Sequence, residues 1–140
     1  MSHPTSPPKA PRLRDVALVG GGGAVGTLAR YLLGVGFPGS EHVVILGINL
    51  SGALLLGLIV SLLAGRHPRL QLLLGTGLCG GFTTYSAFAV GVAELATAAL
   101  PWSALGLAIA TVLGGVLATL IGVWIGGAVR RMWIDSRGVA

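Results

Sequence analysis

The residues able to do chemistry are few, and nearly all of them interrupt long apolar runs: Arg30, Asn49, Ser51, Thr83, Thr84, Tyr85, Ser86, Glu94 and Thr111. A polar group at membrane depth costs free energy unless it is paired or functional. A lone Ser or Thr has a local answer, a hydrogen bond to the carbonyl one turn back. The amide of Asn49 has no such outlet and needs a partner from another helix or a bound solute. The densest group follows a glycine pair, in Gly80-Gly81-Phe82-Thr83-Thr84-Tyr85-Ser86-Ala87-Phe88. Paired glycines beside polar, partly β-branched residues weaken a helix, and unwound backbone is tolerated in a bilayer only inside protein or along a wet cavity. Carbonyls at such a break can hold a cation, and freed N–H groups can face an anion. Tyr85 and Phe88, three apart, share a helical face. The positive edge of an aromatic ring can solvate an anion without holding it as tightly as a full charge would.

Composition fixes the scaffold that must position these groups. Hydrophobic residues make up 54% of the 140, charged residues 9%, and mean hydropathy is +0.88, more apolar surface than a water-soluble domain of this size could cover. The chain resolves into four spans, Val16 to Phe37, His42 to Ala64, Leu70 to Leu100 and Trp102 to Val129, each long enough to cross about 30 Å of hydrocarbon. The expected architecture is an all-α membrane protein. One four-helix transmembrane domain covers 16–130, its third helix broken near the middle, with cytoplasmic tails at 1–15 (disordered) and 131–140. The Pro- and Ser-rich start has no apolar run and does not read as a signal peptide. Cys79 is the single cysteine, with no His or carboxylate cluster beside it, and reads as a small packing residue.

Charge sets the orientation. Lys9, Arg12 and Arg14 precede the first span, Arg66 and Arg69 separate the second from the third, and Arg130, Arg131 and Arg137 follow the fourth. All eight fall on one side of a four-span chain, so the positive-inside rule puts both termini in the cytoplasm of a plasma-membrane, or cell inner membrane, protein. A nucleic-acid partner is not indicated, because the basic residues form no face with interleaved aromatics. Trp102 and Trp133 suit interfacial anchors, and Trp124 reads as a packing residue.

Glycines argue for close helix contact. Gly21-x-Gly23-x-x-Gly26 after Val16-Ala17-Leu18-Val19 matches a dinucleotide-binding fingerprint, but no strand–helix alternation follows. Gly22 and Gly26, like Gly23 and Thr27, lie four apart, as close-packed membrane helices require. Thr111, Gly115, Thr119, Gly122 and Gly126 make a second small-residue stripe along the last span. Another helix is expected against it, and self-association or a partner chain is its natural use.

Gly23-Ala24-Val25-Gly26-Thr27-Leu28-Ala29-Arg30-Tyr31, Asn49-Leu50-Ser51-Gly52 and the Gly80 to Phe88 segment, in order on successive spans, resemble the CrcB/Fluc fluoride channels. The likeness runs from Val16 to about Val129, and its third-span motif is the specific part. The resemblance implies an antiparallel dimer of four-helix subunits with two fluoride pathways and a central structural Na+. It implies that Gly80 and Thr83 supply sodium-binding carbonyls and that Tyr85 and Phe88 form the pore-lining aromatic box. Asn49 would donate to fluoride, Thr84, Ser86 and Thr111 would belong to a hydroxyl track, and Arg30 would draw anions to a vestibule. Departures are Tyr85 for the usual first phenylalanine, Ala87 for a threonine, and Gly91 for a glutamate, with Glu94 one turn later.

Fluoride is small and holds water strongly, so a selective path replaces that water with amide and hydroxyl donors without forming a trap. No nucleotide motif and no carboxylate in the first two spans suggests energy coupling, and passive export of fluoride, lowering its toxicity, follows. An antiparallel homodimer needs a chain with near-zero insertion bias, whereas this one is strongly biased. A heterodimer with an oppositely oriented homologue is therefore expected. The rival reading is a proton-coupled small multidrug exporter using Glu94, though such proteins carry their essential glutamate in the first span, where this chain has Arg30.

Overall fold

A computed structural model of the chain describes residues 12–63 and 65–136. Lys9, Arg137, most of the tail before residue 16, the tail beyond Ser136 and the expected span end at Ala64 lie outside the described residues. Within them the architecture is all-helical, with no strand. Helices α1 (Leu13–Gly36) and α2 (Glu41–Leu63) are followed by a composite segment and by α6 (Pro101–Asp135). The composite begins with α3 (Pro68–Leu70), a π-helical stretch (Gln71–Cys79) and α4 (Gly80–Phe82), and ends with α5 (Tyr85–Thr97). Among the described residues, three helices are long and apolar enough to cross a membrane, namely Leu13–Gly36, Glu41–Leu63 and Pro101–Ile134.

Local chemistry accounts for the boundaries. Pro68 and Pro101 open their helices at the first turn, where a missing N–H is harmless. The connections turn through positive φ at Gly39 (80°) and Gly65 (72°), where a Cβ would be strained. Helices α1 and α6 run beyond the hydrophobic stretches, starting at Leu13 rather than Val16 and continuing to Asp135 rather than Val129. Length in a helix and length in hydrocarbon are separate quantities.

The interruption in the third segment falls later than the glycine pair. Gly80 stays helical (φ −65°, ψ −36°) and α4 carries on to Phe82. The extended residues are Thr83 (φ −75°, ψ 157°) and Thr84 (φ −147°, ψ 117°). Glycine lowers the cost of unwinding without saying where it occurs; the deciding contacts come from α1 and α2.

Packing is backbone against backbone. A Cβ on Gly22 or Gly26 of α1 would run into the main chain of Leu73, Leu78 and Phe82, and one on Gly77 or Gly81 would run into Val19 or Gly23. Helix α1 and residues 68–82 therefore lie parallel at close range. The second pairing joins α2 to α6, also parallel: Gly57 faces Thr119 and Val123, Gly122 faces Leu54 and Leu58, and Gly126 faces Leu58 and Ser61. So α2 of the same chain occupies the lower part of the small-residue stripe on α6, while Gly115 has nothing within 4 Å. Helix α5 runs antiparallel to α2 and α6, with Gly91 against His42 and Leu107.

Little of this is interior. Among the described residues the buried hydrophobic ones are Ile48, Cys79 and Ala104, in keeping with Cys79 as a packing residue. Trp124 is 71% exposed, so it packs against nothing substantial in its own chain, contrary to expectation. Only 11%, 17% and 6% of the most apolar windows of α1, α2 and α6 are buried. Most of the apolar surface thus needs lipid or another subunit to cover it.

Candidate functional site

Three structural elements meet at Thr83 and Thr84. The 68–82 run ends there, and its last carbonyls face α1. Thr27 Oγ1 and Arg30 Nε both donate to the Gly81 carbonyl, each at 3.3 Å. A guanidinium at a helix C-terminus also meets the negative end of the helix dipole. Arg30, expected to draw anions to a vestibule, also caps this helix end. Thr27 was absent from the expected site, although Gly23, Thr27 and Arg30 lie at steps of four and three and so share one face of α1.

Asn49 answers from α2. Its Nδ2 donates to the Thr84 carbonyl at 3.1 Å and its Oδ1 accepts from the Thr84 N–H at 2.8 Å. In a continued helix that N–H would reach back four residues to the Gly80 carbonyl. Asn49 takes the amide for itself, so both main-chain groups of the extended Thr84 are satisfied without water. Thr84, only 8% exposed, then starts the next helix: its Oγ1 accepts from Ala87 N at 3.2 Å, an N-cap, and lies 3.2 Å from Ser86 Oγ. Thr83 closes the other side, donating Oγ1 to the Cys79 carbonyl at 2.9 Å.

A shallow groove of about 290 Å³ opens beside this knot, lined by Asn49, Thr83, Thr84, Tyr85, Phe88, Thr111 and Val112. Of the expected pathway residues it brings together Asn49, Thr84, Tyr85, Phe88 and Thr111, drawn from α2, α5 and α6. The rings of Tyr85 and Phe88 stand 5.8 Å apart, tilted by 54°. Thr111 Oγ1 is buried with no hydrogen-bond partner among the described residues, a donor with nothing to donate to. Ser86 reaches the groove only through Thr84, and Arg30 faces a second cleft of about 450 Å³ that also touches Thr84. Gly80 and Thr83 line a third cleft, of about 490 Å³. Tyr85 is 81% exposed, so a single chain supplies one open wall of a path.

Glu94 lies at the far end of α5. Its carboxylate, 65% exposed, is 3.7 Å from His42 Nε2, and the His42 ring fills the space over Gly91. A carboxylate that reaches solvent at a helix end is poorly placed for exchange chemistry inside the bilayer.

Membrane-length apolar helices around a polar, hydrogen-bonded interruption define a small multi-pass membrane protein. The chain belongs to the CrcB-like family, described as "CrcB-like protein, Camphor Resistance (CrcB)", whose sequence model matches residues 17–123. It is 39% identical over 137 residues to "Fluoride-specific ion channel FluC 2" of Leifsonia xyli subsp. xyli, covering 92% of this chain and 94% of that one. It is 35% identical over 128 residues to "Fluoride-specific ion channel FluC" of Agrobacterium fabrum, covering 84% and 96%. "Fluoride-specific ion channel FluC 1" of Prochlorococcus marinus is 43% identical over 89 residues, covering 64% and 70%.

Proposed function

We propose that the chain is a subunit of a passive fluoride channel that lets fluoride leave the cytoplasm. The observation that carries this reading is the groove in which the Asn49 amide, the Thr84 hydroxyl, the Tyr85 and Phe88 rings and the unpartnered Thr111 hydroxyl converge. Neutral donors and ring edges replace a halide's water at close range, and the groove's lining has no fixed charge that would trap the ion. The relatives named for fluoride channel activity match over nearly the whole chain. Fluoride would pass along Thr111, Asn49 and Thr84, flanked by Tyr85 and Phe88. The extended pair Thr83 and Thr84 is the break of the third membrane span, and both termini face the cytoplasm.

Because each groove is open on one side, a second subunit closes it. The proposed assembly is an antiparallel dimer. A structural Na+ at its centre is part of the proposal: capture of the Thr84 amide by Asn49 withdraws the helical donor from the Gly80 carbonyl. Carbonyl oxygens of Gly80 and Thr83 would hold the ion, two from each subunit, and the ion would lock the subunits together. The described arginines other than Arg30 gather at one end of the bundle, Arg12 and Arg14 at the start of α1, Arg66 after α2, Arg69 in α3, and Arg130 and Arg131 late in α6. So one-sided a chain inserts in a single orientation, and the partner in the dimer is an oppositely oriented homologue.

Efflux from liposomes, followed with a fluoride electrode, tests the channel. Release is expected when this subunit is reconstituted with its homologous partner, and no release in any preparation overturns the reading. Topology reporters at the C-terminus test the assembly. Equal inside and outside populations, or full activity of this subunit alone, would replace the heterodimer with a homodimer.

A further inference from the structure

A separate cleft of about 250 Å³ lies where α2 and α6 finish, lined by Leu62, Arg66, Val129, Arg130 and Trp133. It is remote from the groove, since α2 and α6 run parallel and Asn49 sits more than three turns before Leu62. None of its lining residues is acidic. Arg130 Nε is buried with no hydrogen-bond partner among the described residues, and a desolvated cationic donor without an acceptor is unfavourable until a ligand supplies one. Two arginines lining one small space suit a phosphate ester, whose oxygens guanidinium groups can bind bidentately.

The rest of the lining argues for what that phosphate is attached to. Leu62 and Val129 are apolar, and Trp133 is 60% exposed at the helix end where an indole sits among headgroups. Ile125, one turn before Val129 on the same side of α6, is 39% exposed. An inorganic anion would satisfy the arginines and leave this surface bare, whereas a phospholipid meets both. Arg12, Arg14, Arg69 and Arg131 lie at the same end, and such basic clusters enrich anionic lipid beside them.

We propose that the cleft between the last turns of α2 and α6 is a headgroup site for an anionic phospholipid, its phosphate held by Arg66 and Arg130 and its upper acyl region resting on Leu62, Val129 and Trp133. The site does not depend on what the chain conducts, and its test has no fluoride readout.

A chain carrying Trp102→Phe and Trp124→Phe keeps Trp133 as its only indole. It is reconstituted in phosphatidylcholine vesicles doped with either brominated phosphatidylglycerol or brominated phosphatidylcholine, and Trp133 fluorescence is followed. The anionic quencher is expected to bind with roughly tenfold preference over the neutral one. Arg66→Gln with Arg130→Gln should remove the preference, and Arg12→Gln with Arg14→Gln, which removes equal charge outside the cleft, should leave most of it. Arg130→Lys, which keeps the charge and loses the planar fork, should give an intermediate preference in a chain of unchanged helicity. Equal quenching by the two lipids overturns the proposal. So does an Arg12/Arg14 variant as impaired as the Arg66/Arg130 one, which would indicate diffuse surface charge. Relief of quenching by millimolar inorganic phosphate would assign the cleft to the free ion instead, and also overturns it.

Discussion

Residues 68–82 meet α1 main chain to main chain, with Gly22, Gly26, Gly77 and Gly81 leaving no room for a side chain between them. Beyond Thr84 the same segment behaves differently, and α5 turns Tyr85 outward, 81% exposed, beside an open groove. The first half makes its contacts within the chain; the second leaves its aromatic face open. Rigid seating of one half is what allows the other to present side chains at fixed positions, because the extended residues between them are held by α1 and α2 and not by solvent.

The largest expected effect comes from unseating the first half. Gly26→Leu forces a side chain into the main chain of Leu78 and Phe82 and should cost more than about 3 kcal/mol, seen as loss of both folded protein and efflux. Next is the hinge itself. Asn49→Leu leaves both main-chain groups of Thr84 unpaired, and roughly 2 kcal/mol or more of stability should be lost, measured by thermal unfolding in detergent. Efflux should fall with it, and an unfolding temperature equal to the parent's would show that the hinge stands without Asn49.

Substitutions on the open side should separate conduction from stability. Thr111→Val removes a hydroxyl that bonds nothing in the described chain, so unfolding should be unchanged or slightly improved while fluoride efflux slows about tenfold, the equivalent of one lost hydrogen bond to the ion. A matched loss of stability would return Thr111 to the structural half. Tyr85→Phe is the mildest change. It keeps the ring beside Phe88 at 5.8 Å and should alter efflux by less than about threefold if, as on the proposed path, the anion meets the ring edge and not the phenol.

The sequence was most legible where a single face carried the signal. Gly22 and Gly26 announced the α1 contact, and Asn49, Thr84, Tyr85, Phe88 and Thr111, which the family resemblance grouped, line one groove. It was least legible where the outcome depends on distant partners. The interruption begins two residues past the glycine pair, at Thr83, because Asn49, 35 residues from Thr84, takes the Thr84 amide, and no local propensity reports that. Thr27 was passed over because a hydroxyl in a helix usually bonds its own turn, yet here it caps another helix. The stripe on α6 pointed correctly to a close neighbour, but small residues do not say whether the neighbour is the chain's own α2 or another subunit. Trp124 gave no sign of its exposure, since an indole has equal reason to sit in a core or against lipid.

The two-way hold of Asn49 on Thr84 bears on how such a protein is made. A stretch whose amide and carbonyl are already matched by a neighbouring side chain requires neither water nor a bound ion to keep its shape. It can leave the insertion machinery as a finished part and stand in the bilayer without exposing raw peptide bonds to lipid.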